Sequence, residues 1–117
     1  MKLTDYFEDV GRPVAYYPRL APFLGSVKAT LFLCQLLFWE GKQRDKVERW
    51  IYKTQDEIQK ETGLSRREQE SARKQLRERG YLDEKYQGIP RQLFFRINLD
   101  AINRDWDKWI EQVANLH

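Results

Sequence analysis

Two capping boxes lie eleven residues apart near the middle of the chain, and they constrain the fold more than any other feature. In Thr54–Glu57 (TQDE) and Ser65–Glu68 (SRRE), a hydroxyl and a glutamate three residues later satisfy the free backbone donors of a starting helix. The pattern predicts one helix from 54 to about 61 and a second over 65–79. A turn at Thr62–Leu64 joins them, with its glycine in the left-handed conformation. Two short helices joined in this way form a helix-turn-helix.

A long helix is predicted before this motif. Ser26 is a suitable N-cap, the run to Trp39 is apolar nearly all round, and Gly41 ends it. A helix without a polar face is normally enclosed by protein, so we expect this one to be central. The charged stretch Lys42–Arg49 is expected to be an exposed loop, and the aromatic and β-branched Trp50–Lys53 a short strand.

A β-hairpin is predicted directly after the second helix, which should stop at Gly80. Its strands are Tyr81–Tyr86 and Arg91–Asn98, with a turn at Gln87–Pro90. Alternation in the second strand places three residues on one face, namely Leu93, Phe95 and Ile97, and Phe94 and Arg96 on the other. A hairpin in this position is a wing.

The two ends of the chain are expected to add to this unit. Residues 1–25 contain three prolines and should be mostly extended, with a helical turn near Thr4–Glu8 and a short strand at Val14–Tyr17. A last helix should begin at about Asp100. Its apolar stripe consists of Ile102, Trp106, Trp109 or Ile110, Val113 and Leu116.

These elements together predict an α+β, mostly helical domain with a two- to three-stranded sheet. We expect an N-terminal extended arm over 1–25, a winged helix-turn-helix over 26–98 and a C-terminal helix over 99–117. At 117 residues the chain fits one domain.

Positive charge is concentrated in two nearby segments. Residues 65–79 carry six basic and three acidic side chains, and residues 85–98 carry three basic side chains and no acid. The chain has a net charge of +3, so the rest of it is net negative. This asymmetry favours a polyanionic partner.

A helical wheel of 65–79, with Ala72 at the centre of the inward face, predicts a basic outward face. It holds five cations and one acid, namely Arg66, Arg67, Glu70, Arg73, Lys74 and Arg77. An α-helix fits the major groove of DNA, where arginine can donate two hydrogen bonds to guanine.

Roles within this face follow from position along the helix, since base contacts come from its start. Arg66, Arg67 and Glu70 are candidates for base edges, with Glu70 as an acceptor from cytosine. Arg73, Lys74 and Arg77 suit phosphates. The candidates outside this face are the two N-caps and three further positions, namely Thr54, Ser65, Gln55, Lys85 and Arg91.

For both groups of candidate residues, an ordinary solvated surface is the alternative to DNA contact. Arg66 with Glu70, and Glu70 with Lys74, are four residues apart and could simply pair on a solvated face. The hairpin, with Lys85 and Arg91, could contact DNA or could be a solvated turn.

The sequence also resembles a known group of domains. The likeness lies in Thr62–Gln69, Ala72–Arg73, Leu76, Gly80–Leu82, Gly88–Pro90 and Phe94–Asn98. These segments resemble bacterial winged helix-turn-helix proteins, in particular the DNA-binding domains at the head of phage and mobile-element replication initiators (replisome organisers). Similar domains occur in primosome-loading proteins. The likeness covers about 26–102 and implies DNA binding in replication initiation or in transcriptional control.

Several other functions are not expected. The one histidine is His117, and no cysteine–histidine cluster or glycine-rich phosphate loop occurs, so we predict no enzymatic activity, no metal and no cofactor. No signal peptide is visible and the longest apolar run is too short to span a bilayer, which predicts a cytoplasmic protein. Cys34 lies in an apolar run and should be a buried thiol.

The main alternative to DNA binding is a protein-interaction or dimerisation module. The last helix carries a set of residues that suits a homodimer interface, namely Trp106, Trp109, Ile110 and Val113. The same residues could instead pack within the domain, against Leu31 to Phe38.

Overall fold

The computed structural model describes residues 2–6, 13–42 and 47–115. A 3₁₀ helix spans Leu3–Tyr6. The other elements are, in chain order, α1 (Leu20–Leu24), α2 (Val27–Glu40), β1 (Ile51–Tyr52), α3 (Gln55–Thr62), α4 (Arg66–Glu78), β2 (Leu82–Gln87), β3 (Gln92–Ile97) and α5 (Leu99–Asn115). The chain is thus α+β and mostly helical, with a small three-stranded antiparallel sheet.

The apolar helix α2 is central, as its composition predicts. The Ser26 side chain accepts a hydrogen bond from the Ala29 N–H, and Gly41 is the C-cap. α2 packs against α1, α3, α4 and the strands β1 and β3. Its residues Phe32, Leu33 and Leu36 are almost fully buried, which places the domain core around this helix. Cys34 is buried too, and burial raises the pKa of its thiol.

The N-terminal segment differs from the extended arm that its prolines predict. Leu20–Leu24 forms α1, and within it Phe23 and Leu24 are buried in the core. Pro22 lies inside this short helix, where the first turn needs no backbone donor from it. The strand expected at Val14–Tyr17 is absent, since no sheet edge meets this segment. The helical turn expected at Thr4–Glu8 lies partly outside the described residues.

The helix pair α3–α4 has nearly the predicted bounds. Both capping boxes are formed, at Thr54 and at Ser65. The turn between the helices has three residues, and Gly63 takes a positive φ of 78°. Leu64 fills the space under the turn and is buried. The loop expected at Lys42–Arg49 lies in part outside the described residues.

The sheet has strand order β1-β3-β2 and all pairs are antiparallel. In one row Ile51, Phe95 and Glu84 are cross-strand neighbours, and in the next row Tyr52, Phe94 and Lys85 are neighbours. The first row faces the core, where Phe95 packs edge-on against Phe32 of α2. We call this the inner sheet face and the opposite side the outer sheet face.

Helix α5 contacts the domain through its capped start and its tryptophans. Asn98 caps it by accepting from the Ala101 N–H at 3.1 Å. Trp106 and Trp109 pack around Phe23 of α1, with ring centroids 5.2 and 6.0 Å away. Tyr81 donates to Asp105 at 2.8 Å, and burial together with this bond raises the pKa of Tyr81 to about 12.

The tryptophans of α5 pack within the domain, which was one of the two alternatives, with Leu31 to Phe38 of α2 as the expected partner. Their ring contacts are with Phe23 of α1, a helix that the sequence did not predict. Ile110 remains exposed, Val113 is half-buried, and Leu116 lies outside the described residues. No helix in the described part of the chain is long and apolar enough to cross a membrane.

Candidate nucleic-acid interface

The starts of α3 and α4 are fixed by reciprocal hydrogen bonds. The Glu57 N–H donates to the Thr54 hydroxyl oxygen at 3.1 Å, and the Thr54 N–H donates to the Glu57 carboxylate at 3.0 Å. The box at Ser65 and Glu68 repeats this arrangement at 3.2 and 3.1 Å. Hydrogen bonds from the capping backbone hold the pKa of Glu57 and of Glu68 below the ordinary value.

A buried glutamine fixes α4 against α3. The Gln69 side-chain amide donates to the backbone carbonyls of Gln55, at 3.0 Å, and of Leu64, at 2.9 Å. The wheel places Gln69 on the inward face but gives no partner for it. Because both acceptors belong to the preceding helix and turn, these bonds hold α3 and α4 together.

The outward face of α4 is exposed along its first half. Arg66 pairs with Asp56 of α3 at 3.3 Å, and both side chains are largely exposed. Arg67 and Glu70 are exposed. Within the described part of the chain Arg67 contacts no carboxylate. Exposed ion pairs stabilise a protein by about 0–1 kcal/mol, so a phosphate could replace Asp56 at little cost.

The second half of this face differs from the prediction. Arg73 donates through Nε to Glu84 of β2 at 2.5 Å, and both side chains are only 11% exposed. The Arg77 guanidinium donates to the other oxygen of Glu84, and this side chain is 42% exposed. Arg73 also lies over the Phe95 ring at 5.6 Å. The prediction that α4 has a continuous exposed basic face is therefore wrong at Arg73, whose side chain is mostly buried between α4 and the hairpin.

Arg73 is buried because it lies at the edge of the predicted basic face, where β2 packs against α4. Glu84 has the same strand parity as the buried Leu82, so it faces α4 rather than solvent. A carboxylate on the inner sheet face requires a cationic partner, and α4 supplies two. Glu84 lies directly before the basic segment 85–98, so the charge of that segment does not include it.

Of the two hairpin cations in the predicted site, Arg91 lies on the same side of the sheet as α4, and Lys85 lies on the opposite side. Arg91 lies over the Tyr86 ring at 3.8 Å, close to the turn. Lys85, in contrast, lies over the Trp50 ring at 4.4 Å on the outer sheet face. Lys85 alternates with Glu84, so it cannot share a surface with α4. Lys85 and Arg91 therefore lie on different sides of the sheet, and the expected contact of Lys85 with DNA stays a prediction.

Two adjoining concavities bring most of the predicted residues together. One, of about 260 Å³, lies between the start of α3, α4 and the hairpin, and its lining includes Thr54, Gln55, Arg73, Tyr86 and Arg91. The other, of about 380 Å³, is lined by Gln55, Glu70, Arg73, Lys74, Arg77 and Tyr86. Ser65 is half-buried and serves as a cap. Sequence reasoning missed Tyr86, although an aromatic residue beside a turn was a usable signal.

Among residues 2–6, 13–42 and 47–115, no group of three or more histidine, cysteine, aspartate or glutamate side chains could hold a metal ion. Comparisons with protein families, with curated proteins and with solved structures found no match.

Proposed function

We propose that this chain binds double-stranded DNA as a winged helix-turn-helix domain, with α4 in the major groove and the β2–β3 hairpin as the wing. One observation carries the proposal. The first turns of α4 present Arg66 and Arg67 to solvent, directly beside a capped helix start that Gln69 holds in place.

Base recognition is assigned to the start of α4. The exposed Arg66 and Arg67 can each donate two hydrogen bonds to a guanine edge, and Glu70 can accept from cytosine. Helix-turn-helix domains contact bases from this part of their second helix. The Arg66–Asp56 pair is exposed, so DNA can displace it.

Phosphate contacts are assigned to the surroundings of that helix start. Lys74 is exposed and pairs weakly with Glu78 at 4.0 Å, and Arg77 is 42% exposed although it pairs with Glu84. The start of α3, with Thr54 and Gln55, offers backbone donors and a favourable dipole for a phosphate. Arg91 suits a backbone or minor-groove contact from the wing, because it lies near the exposed turn.

The resemblance of the sequence to replication-initiator domains suggests the setting of this activity. It supports a role in replication initiation or in transcriptional control, where a single recognition helix selects a site.

The proposal is tested by fluorescence anisotropy with a labelled random-sequence duplex over a range of salt. Wild-type affinity should fall steeply as salt rises, because bound phosphates release counterions. On a random-sequence duplex, Arg67→Ala should weaken binding about eightfold at about 0.1 M salt and reduce the salt slope by about 0.9, because it removes one cation that neutralises phosphate. Arg104→Ala is the matched control, since it removes one exposed arginine from α5. Absence of binding at low salt would refute the proposal.

A second candidate is self-association through α5. Trp106 and Trp109 are used within the domain, but Ile110 is 42% exposed on the same helix. Ile110 and the half-buried Val113 thus leave part of the apolar side of α5 uncovered, and uncovered apolar patches mark protein interaction sites. Light scattering at increasing protein concentration tests this: Ile110→Glu should abolish a concentration-dependent dimer, and a strictly monomeric wild type would exclude one.

A further inference from the structure

The outer sheet face combines aromatic rings with cations. Strand alternation turns Tyr52, Phe94 and Lys85 to this side, because their chain neighbours Ile51 and Phe95 are buried in the core. The adjoining row holds Trp50, Arg96 and Asp83, as the ring contacts of Trp50 and the pairing of Arg96 with Asp83 indicate.

These side chains are in mutual contact. The Tyr52 and Phe94 rings lie 5.3 Å apart at an angle of 39°. The Lys85 ammonium and the Arg96 guanidinium each lie 4.4 Å from the centroid of the Trp50 ring. Tyr52 is 41% exposed, so at least one ring of the group is open to a ligand.

The charges on this face favour a polyanion over an apolar protein surface. Within the described part of the chain, Lys85 contacts rings and no carboxylate. Arg96 forms an ion pair with Asp83 at 3.3 Å, and both of these side chains are partly exposed. An apolar partner would bury the Lys85 charge without compensation, which is costly, whereas a phosphate would pair with it.

We propose that the outer sheet face binds single-stranded nucleic acid, with bases stacked on Tyr52 and Phe94 and phosphates paired with Lys85 and Arg96. Non-specific single-strand sites combine aromatic stacking surfaces with cations that follow the backbone. A duplex keeps its base faces stacked inside, so it cannot use these rings.

This site adjoins the proposed duplex interface at Tyr52, which also lines the 260 Å³ concavity beside α3 and α4. The rest of it lies on the other side of the sheet: α4 packs against Glu84 on the inner sheet face, and Lys85, the next residue, points away from it. Because the cations of the two sites differ, each proposal can fail without the other.

The test is anisotropy with a short labelled oligo-dT, which has no duplex structure of its own. The variant is Tyr52→Leu/Phe94→Leu, which keeps apolar side chains but removes the flat rings. It should bind oligo-dT at least about tenfold more weakly, since each stacked base contributes on the order of tenfold or more. Tyr17→Leu is the matched control, because Tyr17 is an exposed aromatic outside the sheet.

A second variant tests the location. Arg66→Ala/Arg67→Ala changes α4 only and should leave oligo-dT affinity unchanged. Circular dichroism and urea unfolding establish that the leucine variant is folded. Lack of oligo-dT binding by wild type would overturn the proposal. The proposal would also be overturned if the α4 variant lost oligo-dT binding while the folded leucine variant kept it. That result would assign single strands to the α4 surface.

Discussion

If α4 binds DNA as proposed, Glu84 holds two of its arginines and competes with the phosphates for one of them, and Glu84→Gln measures that competition. The carboxylate accepts from Arg73 and Arg77, but the two arginines are not equally free to leave. Arg73 is 11% exposed and lies on Phe95, so it stays in place. Arg77 is 42% exposed and can turn to solvent.

The expected gain is therefore one phosphate contact. One extra neutralised phosphate steepens the slope of log Kobs against log salt by about 0.9, which corresponds to roughly eightfold tighter binding at about 0.1 M salt. The substitution should also destabilise the fold by about 2 kcal/mol, because Arg73 loses a charged hydrogen-bond partner in a nearly buried site. Duplex anisotropy and urea unfolding give the two values.

Glu78→Gln is the matched control. It changes the net charge by the same amount, and the 4.0 Å contact of Glu78 leaves Lys74 70% exposed and already available to a phosphate, so the substitution frees no further cation. Any general electrostatic effect should appear in both variants. If Glu84→Gln binds duplex no more tightly than Glu78→Gln, the reasoning is refuted, and Glu84 positions the arginines for DNA instead of competing with it.

Three further predictions concern stability. Gly25→Ala should cost about 1–2 kcal/mol in urea unfolding, more than Gly80→Ala. Both have positive φ, but only at Gly25 would a Cβ meet side-chain atoms, at 2.5 and 2.7 Å. These atoms are the ends of Gln75 and Arg79, and moving them would break the hydrogen bonds that join them to Ser26 and to the Phe23 carbonyl, so equal costs would contradict the prediction. Phe23→Ala should cost about 3–5 kcal/mol and shift tryptophan emission to the red, since the tryptophans of α5 pack on this ring; unchanged emission would contradict that packing. The pKa values of Glu57 and Glu68 are held below their ordinary 4.5, so their contribution is complete above pH 4.5 and is lost as pH falls through the folded values. The gap in melting temperature between wild type and Glu57→Gln/Glu68→Gln should therefore be constant near neutral pH and close in acid; a gap that widens in acid would reverse the assigned sign.

Local signals were sufficient for most of the helices and strands. The capping boxes at Thr54 and Ser65 depend on side chains three residues apart, so they act in any tertiary setting. The N-cap at Ser26 and the alternation in β3 are local in the same sense. The short helix α1 was not predictable in this way. Its five residues gain stability from burial of Phe23 and Leu24, which depends on the rest of the fold.

The candidate site was predictable where it depends on one helix and not where it depends on two elements. The exposure of Arg66 and Arg67 follows from the helical wheel alone. The burial of Arg73 follows from the approach of β2, and the turning away of Lys85 follows from the strand register. Strand parity applied to Glu84 would have indicated an inward acid and hence an arginine partner.

The two hydrogen bonds from Gln69 have a consequence for molecular recognition. They tie α4 to the backbone at Gln55 and Leu64, so α4 cannot rotate about its own axis without breaking both. The face that α4 presents to a ligand is therefore fixed by folding, and α4 loses little orientational freedom when a ligand binds. A domain built in this way should discriminate between targets by rigid fit, and its affinity should depend little on rearrangement of the helix pair.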